Sequence, residues 1–363
     1  MKEKDVSVEL LRIIGMLMVL GCHVNHGARY FDRVNPTGCV ITNLVADGVA
    51  IFWLIMGFFL FKSDYRHVLK RSVHKILIPM FVFSIVMFYL GEFLCGDSSD
   101  ILFGFKRPLS DYKEVIFNGL LKWRTRISYT SHFWYLYSYM IVVLAFPALN
   151  GIQSFVKSKR DKLILLSVLL GILILNDIGM NELVGFSNRP FYGALGGSFL
   201  ALIGYIIYTF KDKYEGKVYL GILGLVAYFI INAVRSVILY KMLLQDGSNH
   251  VIYWYTSFGV LSGISLTVFV FGIKRLLQKK IVKKTVLHLG KLTMGIYVVH
   301  LLALAKLRTT GVYDYFENSL RDSPFTILLV QLGKTLSLLI LSLIIVEVYY
   351  WITAAIRRGI KHG

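Results

Sequence analysis

Long apolar runs separated by short polar segments make up almost the whole chain. A membrane-spanning helix needs roughly 20 apolar residues, and measured against that length the runs predict ten spans. They lie near residues 8–28, 41–61, 76–94, 131–149, 163–177, 193–210, 218–239, 253–273, 285–305 and 325–352. Turn-forming and polar residues fill the connections, for example 32–36 and 211–216. The pattern therefore predicts an all-α, polytopic membrane protein with a single membrane domain over residues 1–363.

Composition supports this class. Of the 363 residues, 56% are hydrophobic and 17% are charged, and the mean hydropathy is +0.63. A soluble domain needs more polar residues on its surface, whereas lipid contact allows the outside to be apolar as well. Cys22, Cys39 and Cys95 are too few and too scattered for a disulfide framework or a paired-cysteine metal site. A single Cys39–Cys95 bridge stays open if both lie outside.

The positive charge reports on topology. The chain has 40 Lys and Arg against 21 Asp and Glu, and the excess lies between apolar runs rather than on one soluble face, which argues against a nucleic acid partner. With ten spans, six segments share one side of the membrane: 1–7, 62–75, 150–162, 211–217, 274–284 and 353–363. Their density of Lys and Arg is more than twofold that of the five opposite segments. The positive-inside rule therefore predicts that both termini are cytoplasmic.

Two segments need separate treatment. The first span carries Glu9 and Arg12 in its first turns and lacks a small-residue cleavage site, so we expect it to be retained as a helix. Segment 95–130 is the longest external connection. Apolar residues spaced three and four apart over 116–123 fit either a short interfacial helix or an ordered loop.

Ionisable side chains inside the first span are candidates for function, because such groups are costly in lipid. Eleven residues separate Arg12 from His23. In a helix, that step ends roughly 20° past three full turns, so both side chains share one face about 16 Å apart. Arginine can hold a phosphate, histidine can accept a proton from a hydroxyl, and Glu9 can orient the guanidinium. The structural alternative is a buried Arg–Glu pair with a histidine that is hydrogen-bonded between helices.

Other polar residues of the spans are weaker candidates when taken singly. His132 and Trp134 open the fourth span, whereas Tyr297 and His300 lie in the ninth, with His300 at a depth comparable with that of His23. Aromatic residues also populate the interfacial belts of membrane proteins in general. For each residue alone, a structural role is therefore the simpler interpretation.

For some polar residues and glycines, the sequence predicts a structural role. We expect Arg235 to reach outward to water, Glu347 to pair with a cation near the inner face, and His26 to lie at the interface. Four glycines are expected to let helices approach closely rather than to cradle a phosphate: Gly193, Gly196, Gly197 and Gly204.

Five segments, in chain order, resemble the acyltransferase-3 family of integral membrane acyltransferases. Arg12 followed by His23 is similar to that family's first helix, whose signature is a basic residue, ten residues and a histidine. Segment 47–58 resembles its second helix, but Met56 stands where the family usually has serine. Segment 70–79 is similar to its basic inner loop, with His74 in place of the usual second arginine. The remaining two segments, 132–136 and 290–300, resemble its His-Leu-Trp-Phe-Leu stretch and its closing Ser-x-Gly-Ile-Tyr-Leu-x-His pattern.

The resemblance implies transfer of an acyl group, usually acetyl, from cytoplasmic acyl-coenzyme A to a hydroxyl of a surface polysaccharide or lipid-linked glycan. The protein would reside in the bacterial cytoplasmic (inner) membrane. Acyl-coenzyme A would be a donor substrate rather than a bound cofactor, and no metal is expected. Donor binding would fall to Arg12, Arg71 and Lys75, whose positive charge suits an anionic nucleotide. His23 would be the general base, assisted by Arg12 and Glu9. Acceptor binding would involve His132, Trp134, Tyr297 and His300.

A transporter is the competing prediction, namely an exporter or flippase of a polysaccharide or lipid-linked sugar. Such proteins also carry polar residues inside the membrane, and a fold alone does not settle activity. Many transporters are built from internal repeats, and the two halves of this sequence show no convincing repeat. A ligand-sensing membrane domain is the third alternative.

Overall fold

Helices make up most of the computed structural model, which describes residues 4–96, 106, 108–111, 113, 130–177, 193–245 and 255–362, with side chains up to 356. In chain order these helices are α1 (Val6–Val24), α2 (Pro36–Ala46), α3 (Gly48–Leu60), α4 (Tyr65–Ser72), α5 (Ile78–Cys95), α6 (Trp134–Leu144), α7 (Phe146–Phe155), α8 (Lys159–Asp177), α9 (Ala194–Thr209), α10 (Val218–Gln245), α11 (Ser257–Gly272), α12 (Lys274–Leu277), α13 (Lys280–Thr309), α14 (Val312–Asn318) and α15 (Pro324–His362). A π-helical turn covers Val73–Leu77, and 3-10 turns cover Ser131–Phe133 and Lys211–Lys213. Each of the ten predicted spans contains a helix, whereas the expected interfacial helix over 116–123 lies outside the described residues.

Six segments of the described chain are long and apolar enough to cross a membrane: Val6–Val24, Pro36–Leu60, Tyr65–Cys95, Val218–Gln245, Lys280–Thr309 and Pro324–Ile356. A seventh arises if α6, with the turn before it, and α7 form one broken span, since they meet at a bend of 58°. Helices α9 and α11 are apolar but shorter. The prediction of an all-α membrane protein is confirmed; the count of ten and the side of the termini stay predictions.

Helix α1 is the centre of the bundle, since it packs against α2, α3, α13 and α15. Its closest approach is to the junction of α2 and α3, where a Cβ added to Gly15 would lie 3.2 Å from the carbonyl oxygen of Gly48. The junction residue, Asp47, has φ −95° and ψ 9°, which interrupts the helix. The predicted span 41–61 is therefore two helices that are joined at a buried carboxylate.

Glycines let the backbones of α3 and α9 pack directly against each other. A Cβ on Gly57 would collide with the carbonyl of Ala201, and one on Gly204 would collide with the carbonyl of Leu54. Gly197 makes room for the ring of Trp53, to which a Cβ would come within 2.6 Å. The expected packing role is therefore confirmed for Gly197 and Gly204.

The predicted first span is shorter in the structure because α1 ends at Val24 and the chain then turns into a small hairpin. Its strands, β1 (Arg29–Tyr30) and β2 (Arg33–Val34), are antiparallel. The two residues between them, Phe31 and Asp32, have φ values of 53° and 59°. Positive φ at both central residues is typical of a tight two-residue hairpin turn.

Candidate functional site

The first helix is fixed at its start by a side-chain cap. Asp5 accepts a hydrogen bond of 3.0 Å from the backbone N–H of Ser7, and Glu9 lies in the first turn, where a carboxylate interacts favourably with the helix dipole. Because α1 is unbroken from Val6 to Val24, Arg12 and His23 share a face at a separation of about 16 Å. We call the ends of the bundle near these two residues the Arg12 side and the His23 side.

On the Arg12 side, the guanidinium is held by a buried carboxylate. Arg12 Nη1 donates to Glu9 Oε1 at 2.7 Å. Glu9 is only 3% exposed, whereas the side chain of Arg12 is 30% exposed. Gly290 of α13 makes room for this carboxylate, since a Cβ there would collide with it. The expected contact between Glu9 and Arg12 is therefore present, and the guanidinium stays partly exposed.

A second arginine lies in the same neighbourhood. The guanidinium groups of Arg12 and Arg71 are both within electrostatic range of Tyr139, whose hydroxyl lies 3.4 Å from Ser72 Oγ. Arg71 is exposed on α4, and Lys75 is exposed in the π-helical turn that follows. Two of the three predicted donor-binding cations therefore lie near the same tyrosine.

The residue at the position of the family's second arginine, His74, makes a local contact instead. Its Nδ1 lies 2.8 Å from the carbonyl oxygen of Lys70, one helical turn earlier.

On the His23 side, three imidazoles from three separate elements form a cluster. The ring centroids of His23 and His300 are 4.9 Å apart, and those of His132 and His300 are 4.6 Å apart. Tyr297 completes the group, since its ring lies 5.2 Å from that of His132 and its hydroxyl donates to the His132 carbonyl. His132 and His300 are buried, whereas His23 is partly exposed. Four candidate residues therefore lie at one place.

The tautomer of His300 follows from its contacts. Its Nδ1 lies 2.7 Å from the carbonyl oxygen of Tyr297. A carbonyl can only accept, so Nδ1 carries the proton and donates, and in the neutral ring Nε2 keeps a lone pair. Within the part of the chain that the structure describes, this Nε2 has no hydrogen-bond partner. The cluster therefore holds a free acceptor next to the accessible imidazole of His23.

A comparison with protein families decides the class of this protein. The family model described as an acyltransferase domain matches residues 5–352, which include both ends of the site. The chain belongs to the acyltransferase-3 family. No curated protein and no solved structure matches it. Membership supports acyltransferase activity in general.

Two tyrosines that were not among the predicted site residues lie between the Arg12 side and the His23 side of the acyltransferase. Tyr135 and Tyr139 are one turn apart on α6. Tyr135 is within electrostatic range of Arg12, and its ring lies 5.9 Å from that of Tyr297. Their spacing of four residues, directly after a candidate histidine, was the signal available in the sequence.

Trp134 follows His132 by two residues, at the start of α6. This partly buried side chain contacts Tyr135 at 6.2 Å between ring centroids. Met56, which replaces the family's serine, is 8% exposed in the hydrophobic core. Its position therefore contributes packing and no hydroxyl.

The expectation that Arg235 reaches outward to water is wrong. Both Arg235 and Asp47 are fully buried, and one guanidinium nitrogen lies 2.8 and 2.9 Å from the two carboxylate oxygens. Ser262 also hydrogen-bonds to this carboxylate. The apolar run continues past Arg235 to Gln245, so the arginine is deep in the bundle, where a carboxylate partner offsets its desolvation.

The other two structural expectations correspond to defined contacts. Glu347 Oε1 lies 2.7 Å from His288 Nε2, so its expected partner is an imidazole. His26 lies just past the end of α1 and contacts Lys334 and Glu317.

Proposed function

We propose that this protein transfers an acyl group, typically acetyl, from acyl-coenzyme A to a hydroxyl of a surface polysaccharide or lipid-linked glycan. One observation carries the proposal: the single helix α1 presents an oriented cation and, about 16 Å away along the same face, an accessible histidine inside a cluster of imidazoles. A membrane reaction that joins a donor from one compartment to an acceptor in the other needs such a connection.

The donor would bind at the Arg12 side. Its phosphates are anionic, and Arg12 and Arg71 offer positive charge there, with Lys75 exposed in the turn that follows α4. The distribution of Lys and Arg favours the cytoplasm for this side, which is where acyl-coenzyme A is made. The pantetheine arm would then follow α1 past Tyr139 and Tyr135 toward the cluster.

The acceptor would react at His23. The neutral imidazole removes the proton from the acceptor hydroxyl as its oxygen attacks the thioester carbonyl carbon. The new C–O bond gives a tetrahedral intermediate, which collapses as the C–S bond breaks. The leaving thiolate takes the proton from the His23 imidazolium, so the coenzyme leaves as a thiol. His300 would position the His23 ring, and His132, Trp134 and Tyr297 would shape the acceptor side of the site.

The role of His23 is tested by replacement with alanine. Membrane vesicles that contain equal amounts of wild type or His23→Ala would be supplied with radiolabelled acetyl-coenzyme A, and label in the glycan fraction would be counted. Loss of a general base lowers the rate by about 10²–10⁴-fold. The exposed His67 on α4 gives a matched histidine control, and His67→Ala should keep wild-type activity. Near-normal transfer by His23→Ala would remove His23 as the base.

The acceptor class is tested in cells. Surface glycan from cells with and without the gene would be compared by mass spectrometry. A difference of one acyl group per modified unit supports the proposal. Loss of the surface glycan, with unmodified material trapped inside the cell, would instead indicate export.

A further inference from the structure

A cavity opens on the His23 side, just beyond the end of α1. Its volume is about 390 Å³, and the residues that line it include His26, Arg29, Tyr30, Phe31, Asp32 and Glu317. They come from the α1–α2 connection and from α14. None of the cavity's lining residues belongs to the histidine cluster, but the first of them, His26, is only three residues along the chain from His23.

The walls of this cavity are held in place. The hairpin is tied to the α14–α15 connection by an ion pair between Arg33 and Asp322. Tyr30 is only 4% exposed and packs with Ile41 and Ile327. The cavity therefore has a preformed shape, as binding sites for small ligands usually do.

The two residues of the hairpin turn are poorly suited to its backbone conformation, which indicates a role in binding. Phe31 has φ 53° and is followed by Asp32 with φ 59°. Asn and Gly are the residues that such a turn prefers, and a bulky residue at positive φ is strained. Phe31 is also 45% exposed. Strain of this kind concentrates at functional sites, and here it presents an apolar ring and a carboxylate side by side.

The polar groups of the cavity suit hydroxyl-rich ligands. Asp32 and Glu317 accept hydrogen bonds from hydroxyl groups, while Arg29 and His26 can donate to hydroxyl oxygens. Glu317 is held by an ion pair with Lys334, whose side chain is 4% exposed. An aromatic face beside donors and acceptors complements a sugar ring, which has apolar C–H faces and a hydroxyl edge.

We infer that this cavity is the acceptor subsite of the enzyme and binds a sugar residue adjacent to the one that is acylated. The inference rests on the proposed function and adds the place where the glycan is held. Helix α15 connects the two places, because Lys334 forms an ion pair with Glu317 of the cavity and Gln331 Nε2 donates to the carbonyl of Gly21, near the His23 end of α1, at 2.9 Å.

The test uses two conservative variants, Asp32→Asn and Glu317→Gln, in the full-length protein in lipid nanodiscs. The probe is an oligosaccharide mixture released from the host surface polysaccharide by partial hydrolysis and stripped of esters with mild base. We expect the KM for these oligosaccharides to rise at least about tenfold, the effect of losing one good hydrogen bond to a charged group. The values of kcat and of KM for acetyl-coenzyme A should change less than twofold. Asp314→Asn, which changes an exposed carboxylate of α14 that does not line the cavity, is the matched control.

A third variant separates binding from strain. Phe31→Gly relieves the turn and removes the ring, so it should fold at least as well as the wild type and still bind the oligosaccharides more weakly, as measured by saturation-transfer NMR. An unchanged KM in Asp32→Asn and Glu317→Gln together with unchanged binding by Phe31→Gly, or no binding by the wild type, overturns the inference. Oligosaccharide binding that depends on Asp32 without any acyl transfer would retain the subsite and contradict the proposed function.

Discussion

Replacing Arg235 by methionine removes the cation from a fully buried ion pair and leaves the Asp47 carboxylate without its cationic partner. The guanidinium nitrogen lies 2.8 and 2.9 Å from the two oxygens. At an effective dielectric constant of about 20, one such contact corresponds to roughly 6 kcal/mol of attraction. Much of that offsets the desolvation of the two groups, so the measurable loss on removing one partner is about 3–5 kcal/mol.

The assay is equilibrium unfolding in mixed micelles, with SDS as the denaturant and circular dichroism as the signal. Arg235→Met, Asp47→Leu and the double variant form a cycle. The double variant holds no unpaired charge, so it should be more stable than the sum of the single effects implies, by several kcal/mol. Arg33→Met, which breaks an exposed pair, is the control and should cost at most about 1 kcal/mol. A cost below about 1 kcal/mol for Arg235→Met, or additive behaviour in the cycle, would refute the reasoning.

Two further predictions concern packing and pH. Gly204→Ala should lower the yield of folded, monodisperse protein in detergent because the new Cβ would collide with a backbone carbonyl. Gly171→Ala is the control and should not lower the yield, since a Cβ there would have no atom within 4 Å. Equal size-exclusion profiles for the two variants would contradict this prediction. Burial and the Lys334 ammonium lower the pKa of His26 from 6.5, against the opposing effect of Glu317. As pH falls below about 6.5, the unfolded chain therefore takes up the proton before the folded chain does, and the free energy of unfolding decreases. His26→Gln should make thermal stability depend less on pH in this range. An unchanged pH dependence in the variant would contradict the prediction.

The helical membrane class could be predicted because apolar runs of the required length need no tertiary information. The Asp47–Arg235 pair could not, since its partners are 188 positions apart and the sequence does not say that α10 lies beside the α2–α3 junction. Arg235 was misassigned for a local reason: it stands near the end of the predicted run, where long cations usually reach water.

In the candidate site, too, features set by the local sequence could be predicted, whereas features set by helix packing could not. The shared face of Arg12 and His23 followed from helix geometry alone, and the matching depth of His300 was visible along its span. That His132 and His300 meet His23 depends on which helices are neighbours, a property of the packed bundle. Tyr135 was missed because an aromatic residue near a span end is common in any membrane protein.

The contact between Gly15 and Gly48 limits how this enzyme can work. It holds the backbone of α1 directly against the interrupted helix beside it, at a point between Arg12 and His23. At that distance, main-chain atoms would collide if α1 slid or rolled against the α2–α3 junction, so these helices are expected to move as one body. Under the proposed function, the donor and the acceptor would therefore reach this rigid pair of helices from its two ends, and the acyl group would be the part that moves.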